Sequence, residues 1–136
     1  MALGDLILDE LGQVTGIRVL STNESGTELE INLQSSGTIK GVEGQSMWTY
    51  TQQIRPDGSI TGAGQGICTT VNGDVIHLTG HGTGQAPAPG GTTEFKVFIQ
   101  PYSTSADFAD LNTIGLVGEY TVNGDGTTVA KFWEWK

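Results

Sequence analysis

SMWTYTQQIRPDGSITGAGQGICTTVNGDVIHLTGHG, residues 46–82, reads as three β-strands joined by two tight turns. Successive strand side chains point to opposite faces, so Trp48, Tyr50, Gln52 and Ile54 share one face of the first strand. Met47, Thr49, Thr51, Gln53 and Arg55 share the other. Pro56-Asp57-Gly58 and Asn72-Gly73 supply the Asn, Asp and Gly residues that tolerate the positive φ values of hairpin turns. Gly62, Gly64 and Gly66 lie two apart on one face of the second strand. Gly80, Gly82 and Gly84 repeat the pattern on the third. Such stripes permit sharp bending or a close approach by side chains from across a sheet. Their spacing does not fit a dinucleotide-binding loop, and no amphipathic helix follows to receive a phosphate.

The same rhythm extends through the chain. β-Branched and aromatic runs predict strands at Gly4–Glu10, Thr15–Thr22, Thr27–Gln34, Thr38–Glu43, Ser46–Arg55, Ser59–Val71, Asp74–Gly82, Thr92–Gln100, Gly115–Val122 and Thr127–Trp135. Asn123-Gly124-Asp125-Gly126 is a further hairpin signal. GQAPAPGG, residues 84–91, reads as a surface connection. PYSTSADFADLNT, residues 101–113, predicts one helical turn capped by Ser103 or Ser105, with Phe108 and Leu111 facing the core and the segment a candidate flap over one end of the sheet. A meander of this length without covering helices must curl, because open edges invite unwanted pairing. The expected fold is all-β: a small antiparallel eight-stranded barrel, mostly up-and-down, forming a single domain over residues 1–136.

Fifteen acidic residues against six basic ones give the 136-residue chain a formal net charge of -9. That balance offers no basic groove for a polyanion, so nucleic acid is not an expected partner. MALGDLILDELG at the start lacks a basic region and a long apolar run, and no 18-residue apolar stretch follows, so a cytoplasmic protein without a membrane partner is expected. Cys68 is the single cysteine. One cysteine makes no intrachain disulfide and no multi-cysteine metal site, and its strand-like neighbours suggest a packed thiol. No G-x-S-x-G elbow is present.

GTIKGVEGQSMWTYTQQIRPDGSITGAGQGICTTVNGDVIHLTGHGTGQ, residues 37–85, with TTEFKVFIQ at 92–100 and GEYTVNGDGTTVAKFWEWK at 118–136, resembles a group of small bacterial proteins of unknown function whose fold is similar to the allene oxide cyclase barrel. Glycine rhythm, strand order and the aspartate-glycine hairpin carry the resemblance across almost the whole chain. It implies an eight-stranded antiparallel barrel with a cavity, association of identical chains, and a relation to plant enzymes that isomerise an unstable fatty-acid epoxide.

For a ligand within the barrel, the Trp48 face offers an aromatic wall with an indole N–H, the Tyr50 hydroxyl and the Gln52 amide. Arg18 and Arg55 are candidate anion anchors. The last strand alternates Lys131, Trp133 and Trp135 with Phe132 and Glu134, so both faces carry a ring and a charge, and Trp133 joins the candidate wall. Proton transfer calls for an interior carboxylate, with Glu94, Glu119 and Glu134 as candidates. Glu119 is the preferred catalytic group, with Glu94 placed among the ligand contacts. His77 and His81 are alternative acid–base groups. They sit about 13 Å apart along an extended strand, too far to share a metal without a bend. The apolar Ile76, Leu78 and Gly80 face turns both histidines outward. No metal and no cofactor are expected. Three functions fit this pattern: a barrel binding a small hydrophobic molecule, with or without isomerase or cyclase activity; a glycine-rich carbohydrate-binding module; and a non-catalytic protein that assembles into homo-oligomers.

Overall fold

In the computed structural model, which describes residues 3–136, eight strands follow one another around a closed antiparallel barrel. They are β1 (Leu3–Asn23), β2 (Gly26–Ile39), β3 (Val42–Ile54), β4 (Ser59–Thr70), β5 (Val75–Gln85), β6 (Thr93–Tyr102), β7 (Leu116–Val122) and β8 (Thr127–Trp135), with β8 closing onto β1. Three hairpins share one device. Gly58, Gly73 and Gly126 donate their N–H groups to the carbonyls of Arg55, Thr70 and Asn123, three residues back, and each glycine takes φ between 85° and 87°. A residue with a Cβ is strained there, which is why glycine closes each turn. Asp57 and Asp125 complete two of these turns by accepting the backbone N–H of Ser59 and Thr127. The Ser59 and Thr127 hydroxyls donate to the same carboxylates at 2.6 Å, and these bonds, with the backbone ones, hold both carboxyls below the usual range.

The ten sequence runs become eight strands for physical reasons at three places. Gly12 and Gly37, which seemed to interrupt strands, lie within β1 and β2. A Cβ on Gly12 would come within 2.7 Å of Ser35 Cβ and Thr128 Oγ1, and one on Gly37 would strike the Asp9 carbonyl. These glycines allow close approach between strands. Conversely, the Thr38–Glu43 run folds back on itself. Lys40 and Gly41 both adopt positive φ, 50° and 76°, and form the two-residue turn between β2 and β3.

Ile39, Cys68, Ile76, Leu78, Ile99 and Leu116 pack the end of the barrel that contains this turn. The segment after β6 seals it. A short 3₁₀ helix spans Ala109–Thr113, and Phe108 and Leu111 are both essentially inaccessible beneath it. Neither Ser103 nor Ser105 caps the helix with its side chain. Ser103 Oγ instead donates to the Val75 carbonyl, while Asn112 bonds the Ser103 backbone through both ends of its amide. Lys40 reaches over the Phe108 ring to Asp110 and the Asp107 carbonyl. This pairing keeps the Asp110 carboxyl low. The candidate flap is therefore a fixed plug.

Candidate functional site: the barrel cavity

Above the plug the lumen keeps a cavity of about 80 Å³. Its shape follows from the two glycine stripes. Register places Gly62 opposite Gly82 and Gly64 opposite Gly80, so the inner wall of β4 and β5 is bare backbone. The Trp48 indole lies against this wall: a Cβ built on Gly66 would meet Trp48 Cδ2 at 2.5 Å, and one on Gly80 would meet Cη2 at 3.5 Å. Leu8, Leu33, Phe95, Val97, Ile99, Ala130 and Phe132 supply most of the remaining lining. Drug-sized ligands occupy pockets of roughly 300–1,000 Å³, so this cavity suits something much smaller.

Besides Thr128, polar side chains break the apolar surface in two places, one towards each end. Nearer the plug is Glu10, 3% exposed. It projects from β1 and accepts hydrogen bonds from Ser46 Oγ at 2.7 Å and Ser35 Oγ at 3.3 Å. Burial pushes its carboxyl up, against the opposing effect of the two serine hydroxyls. Cys68 lies beside Ser46 on the next strand. Burial raises its thiol, and the neighbouring Glu10 charge adds to the effect, so Cys68 is a packed thiol and not an activated nucleophile. Nearer the mouth, Tyr50 on β3 and Tyr120 on β7 bring their hydroxyls within 3.2 Å. The rings meet edge to face, and Phe95 stacks on Tyr120. Burial pushes Tyr50 up to about 12, and Tyr120 is raised further, so both remain neutral at physiological pH. Among the described residues, the lining contains no Lys or Arg side chain.

The residues proposed from sequence divide between inside and outside. Trp48 and Tyr50 line the cavity. Gln52 follows them on the inward face of β3, opposite Gly62, but beyond the lining. Arg55 is exposed at the β3–β4 turn and donates to Ser59 Oγ. Glu94 and Glu119 are exposed on the outer wall, Glu119 in an ion pair with Lys96. Glu134 sits at the end of β8 near Lys136. The interior carboxylate is therefore Glu10 and none of those three: alternation along β6 and β7 turns Phe95 and Tyr120 inward and Glu94 and Glu119 out, and Glu134, on the Phe132 face of β8, lies at the strand's end beyond the lining. His77 and His81 have exposed side chains, and His77 lies near the Tyr102 ring. Trp133 is half-buried outside the barrel, where it shares a shallow groove with His81 and Glu119.

Sequence reasoning missed Glu10, Ser35, Ser46 and Tyr120. A signal for Glu10 was present: Leu6, Leu8 and Glu10 alternate with Asp5, Ile7 and Asp9. Both sets mix apolar and acidic residues, so the pattern did not select a face.

No family profile and no curated protein matches the chain. Solved structures do. A protein of unknown function from Clostridium acetobutylicum superposes with a TM-score of 0.84 at 13% identity, over 97% of this chain and 98% of its own. A conserved protein of unknown function from Rhodopseudomonas palustris gives 0.80 at 15% identity, over 99% of each chain. A structure described as an enzyme from Penicillium herquei gives 0.70 at 15% identity, over 100% of this chain and 97% of its own. At such identities the shared property is the barrel. Among the described residues, no helix is long and apolar enough to cross a membrane.

Proposed function

We propose that the protein binds a small hydrophobic molecule in the barrel and acts on it as an isomerase or cyclase, with Glu10 moving the proton. The observation that carries this reading is a lone, desolvated carboxyl opening onto an otherwise apolar cavity beside Trp48. Burial raises such a carboxyl above the ordinary range, which strengthens it as a base once ionised. An isomerisation consumes nothing: Glu10 takes a proton from one carbon of the bound molecule, and one is returned to another. The cavity holds the reacting atoms in one arrangement and keeps water away, which favours ring closure over side reactions. The resemblance to the allene oxide cyclase barrel supports this chemistry, and the Penicillium herquei structure described as an enzyme is compatible with a catalytic use of such a barrel.

Toluene is a suitable first probe of the cavity. Titration followed by NMR is expected to give saturable shifts at Trp48, Tyr120 and Ala130, with none at Trp135 or His77 on the outside. Absence of saturable shifts at the inner residues would reject the cavity as a binding site. A preference for shifts around Trp133 would instead favour the carbohydrate-module reading, and sugars would replace toluene as probes.

A second reading, self-association, has its own observation. β1 pairs with β8 only as far as Gln13, so its outer edge beyond Val14 is open up to the hairpin. Ile17 and Val19 on this arm are 63% and 60% exposed. An uncovered edge with apolar side chains pairs readily with another strand, and a second copy of β1 offers the same edge in return. Sedimentation velocity is expected to show concentration-dependent association that Ile17→Lys combined with Val19→Lys abolishes. A wild-type monomer at every concentration would end this reading.

A further inference from the structure

The Tyr50–Tyr120 pair leaves one proton unused. Two hydroxyls carry two protons, and the single hydrogen bond between them uses one. Among the described residues, neither hydroxyl makes another side-chain hydrogen bond. The lining around the pair is ring, methyl and bare backbone: Phe95, Val97, Ala130 and the Gly62–Gly82 wall. A donor held in such surroundings favours an acceptor oxygen brought by a ligand.

Charge narrows the class. Among the described residues, an anion in this cavity would have no Lys or Arg in the lining to pair with and would share the space with Glu10, inside a chain of net charge -9. An alcohol could accept the spare proton but would have to return its own to the other tyrosine oxygen, a phenolic oxygen and a weak acceptor. A ketone or aldehyde oxygen only accepts and carries two lone pairs, enough for both tyrosine hydroxyls if their mutual bond opens.

We infer that the ligand is a small neutral carbonyl compound whose oxygen is held by the Tyr50 and Tyr120 hydroxyls, with its hydrocarbon body against Trp48 and its far end towards Glu10. The assignment rests on the cavity reading above and adds the substrate class. Glu10 faces the end of the ligand remote from the oxygen, so the C–H it can reach is acidified where a double bond conjugates it to the hydrogen-bonded carbonyl.

Three probes of similar shape test it: cyclohexanone, methylenecyclohexane and cyclohexanecarboxylate. Cyclohexanone is expected to bind roughly tenfold more tightly than methylenecyclohexane, the usual worth of one good hydrogen bond, and the carboxylate not to bind at neutral pH. In the infrared, the carbonyl stretch of bound cyclohexanone is expected below its value in hydrocarbon solvent. Tyr50→Phe and Tyr120→Phe are each expected to reduce the ketone preference and move the stretch back, while methylenecyclohexane still binds and so reports an intact cavity. Equal affinities for ketone and alkene with an unshifted stretch would overturn the carbonyl assignment while leaving the cavity reading standing. Failure of both neutral probes to bind wild-type protein would overturn the two together. If the variants do not fold, the wild-type affinity ratio and carbonyl frequency decide.

Discussion

Glu10→Gln is expected to make the protein more stable at neutral pH and to remove the proposed proton-transfer activity. Glu10 is 3% exposed and, among the described residues, receives side-chain hydrogen bonds only from two neutral hydroxyls, with no Lys or Arg in the cavity lining to balance its charge. The folded protein therefore holds the carboxyl proton to a higher pH than the unfolded chain does. At about pH 4 and below both states retain it, and wild type and variant should differ little. As pH rises through the ordinary carboxylate range, only the unfolded chain ionises, and wild-type stability falls until pH passes the raised folded value. Glutamine never ionises. Its advantage should open across that window and then level at about 1–3 kcal/mol, the usual cost of an inadequately compensated buried polar group. One serine hydroxyl can rotate to accept from the new amide. Turnover should fall by roughly 10²–10⁴, the typical contribution of a positioned acid–base group. Parallel stability profiles for the two proteins would show that Glu10 is not effectively desolvated. Retained turnover would move the chemistry to another residue.

That Glu10, and not Glu119, is the interior carboxylate shows where the chain's own pattern stops. Local chemistry made the hairpins at 55–58, 70–73 and 123–126 legible, since each needs a glycine at positive φ and nothing distant. The Lys40-Gly41 turn was hidden because lysine there gains its support from Asp110 and the Asp107 carbonyl, about seventy residues away. Trp48 and Tyr50 were legible because only one face of β3 carries large rings. β8 offers a ring and a charge on each face, and only its pairing decides between them. Phe132 lies opposite Gly118 on one side and Leu8 on the other, which turns it inward and leaves Trp133 outside. Glu119 looked like a lone carboxylate because its partner is on another strand: register sets it beside Lys96, twenty-three positions earlier. Charges that complement one another across strands look unpaired along a chain.

The glycine stripes yield a sharp expectation because neighbouring glycines on the same wall should respond differently to the same methyl group. At Gly66 the new Cβ would lie 2.5–2.6 Å from Trp48 Cδ2 and Cε2, inside the indole's contact distance. The ring must shift towards the cavity or the strands must part, and Gly66→Ala is expected to lose about 1–3 kcal/mol, as overpacked cores do. For a chain of this length that is a fall in melting temperature of roughly 3–12 °C. At Gly80 the nearest atoms, Trp48 Cη2 and Cζ3, are at 3.5 Å, an ordinary contact. Gly80→Ala should be neutral or gain up to about 1 kcal/mol by restricting the unfolded chain. Trp48→Ala removes the ring atoms that the Gly66 methyl strikes, so the double variant Gly66→Ala, Trp48→Ala should be more stable than the sum of the single losses allows. Strict additivity would mean that the indole does not rest on Gly66. Non-additivity would give the stripe a purpose beyond bending the sheet. A side chain at Gly66 would displace the Trp48 indole, one at Gly64 would strike Tyr50 Cβ and one at Gly82 Val97 Cγ2, so the bare wall is what lets a small barrel hold these side chains and still keep a cavity.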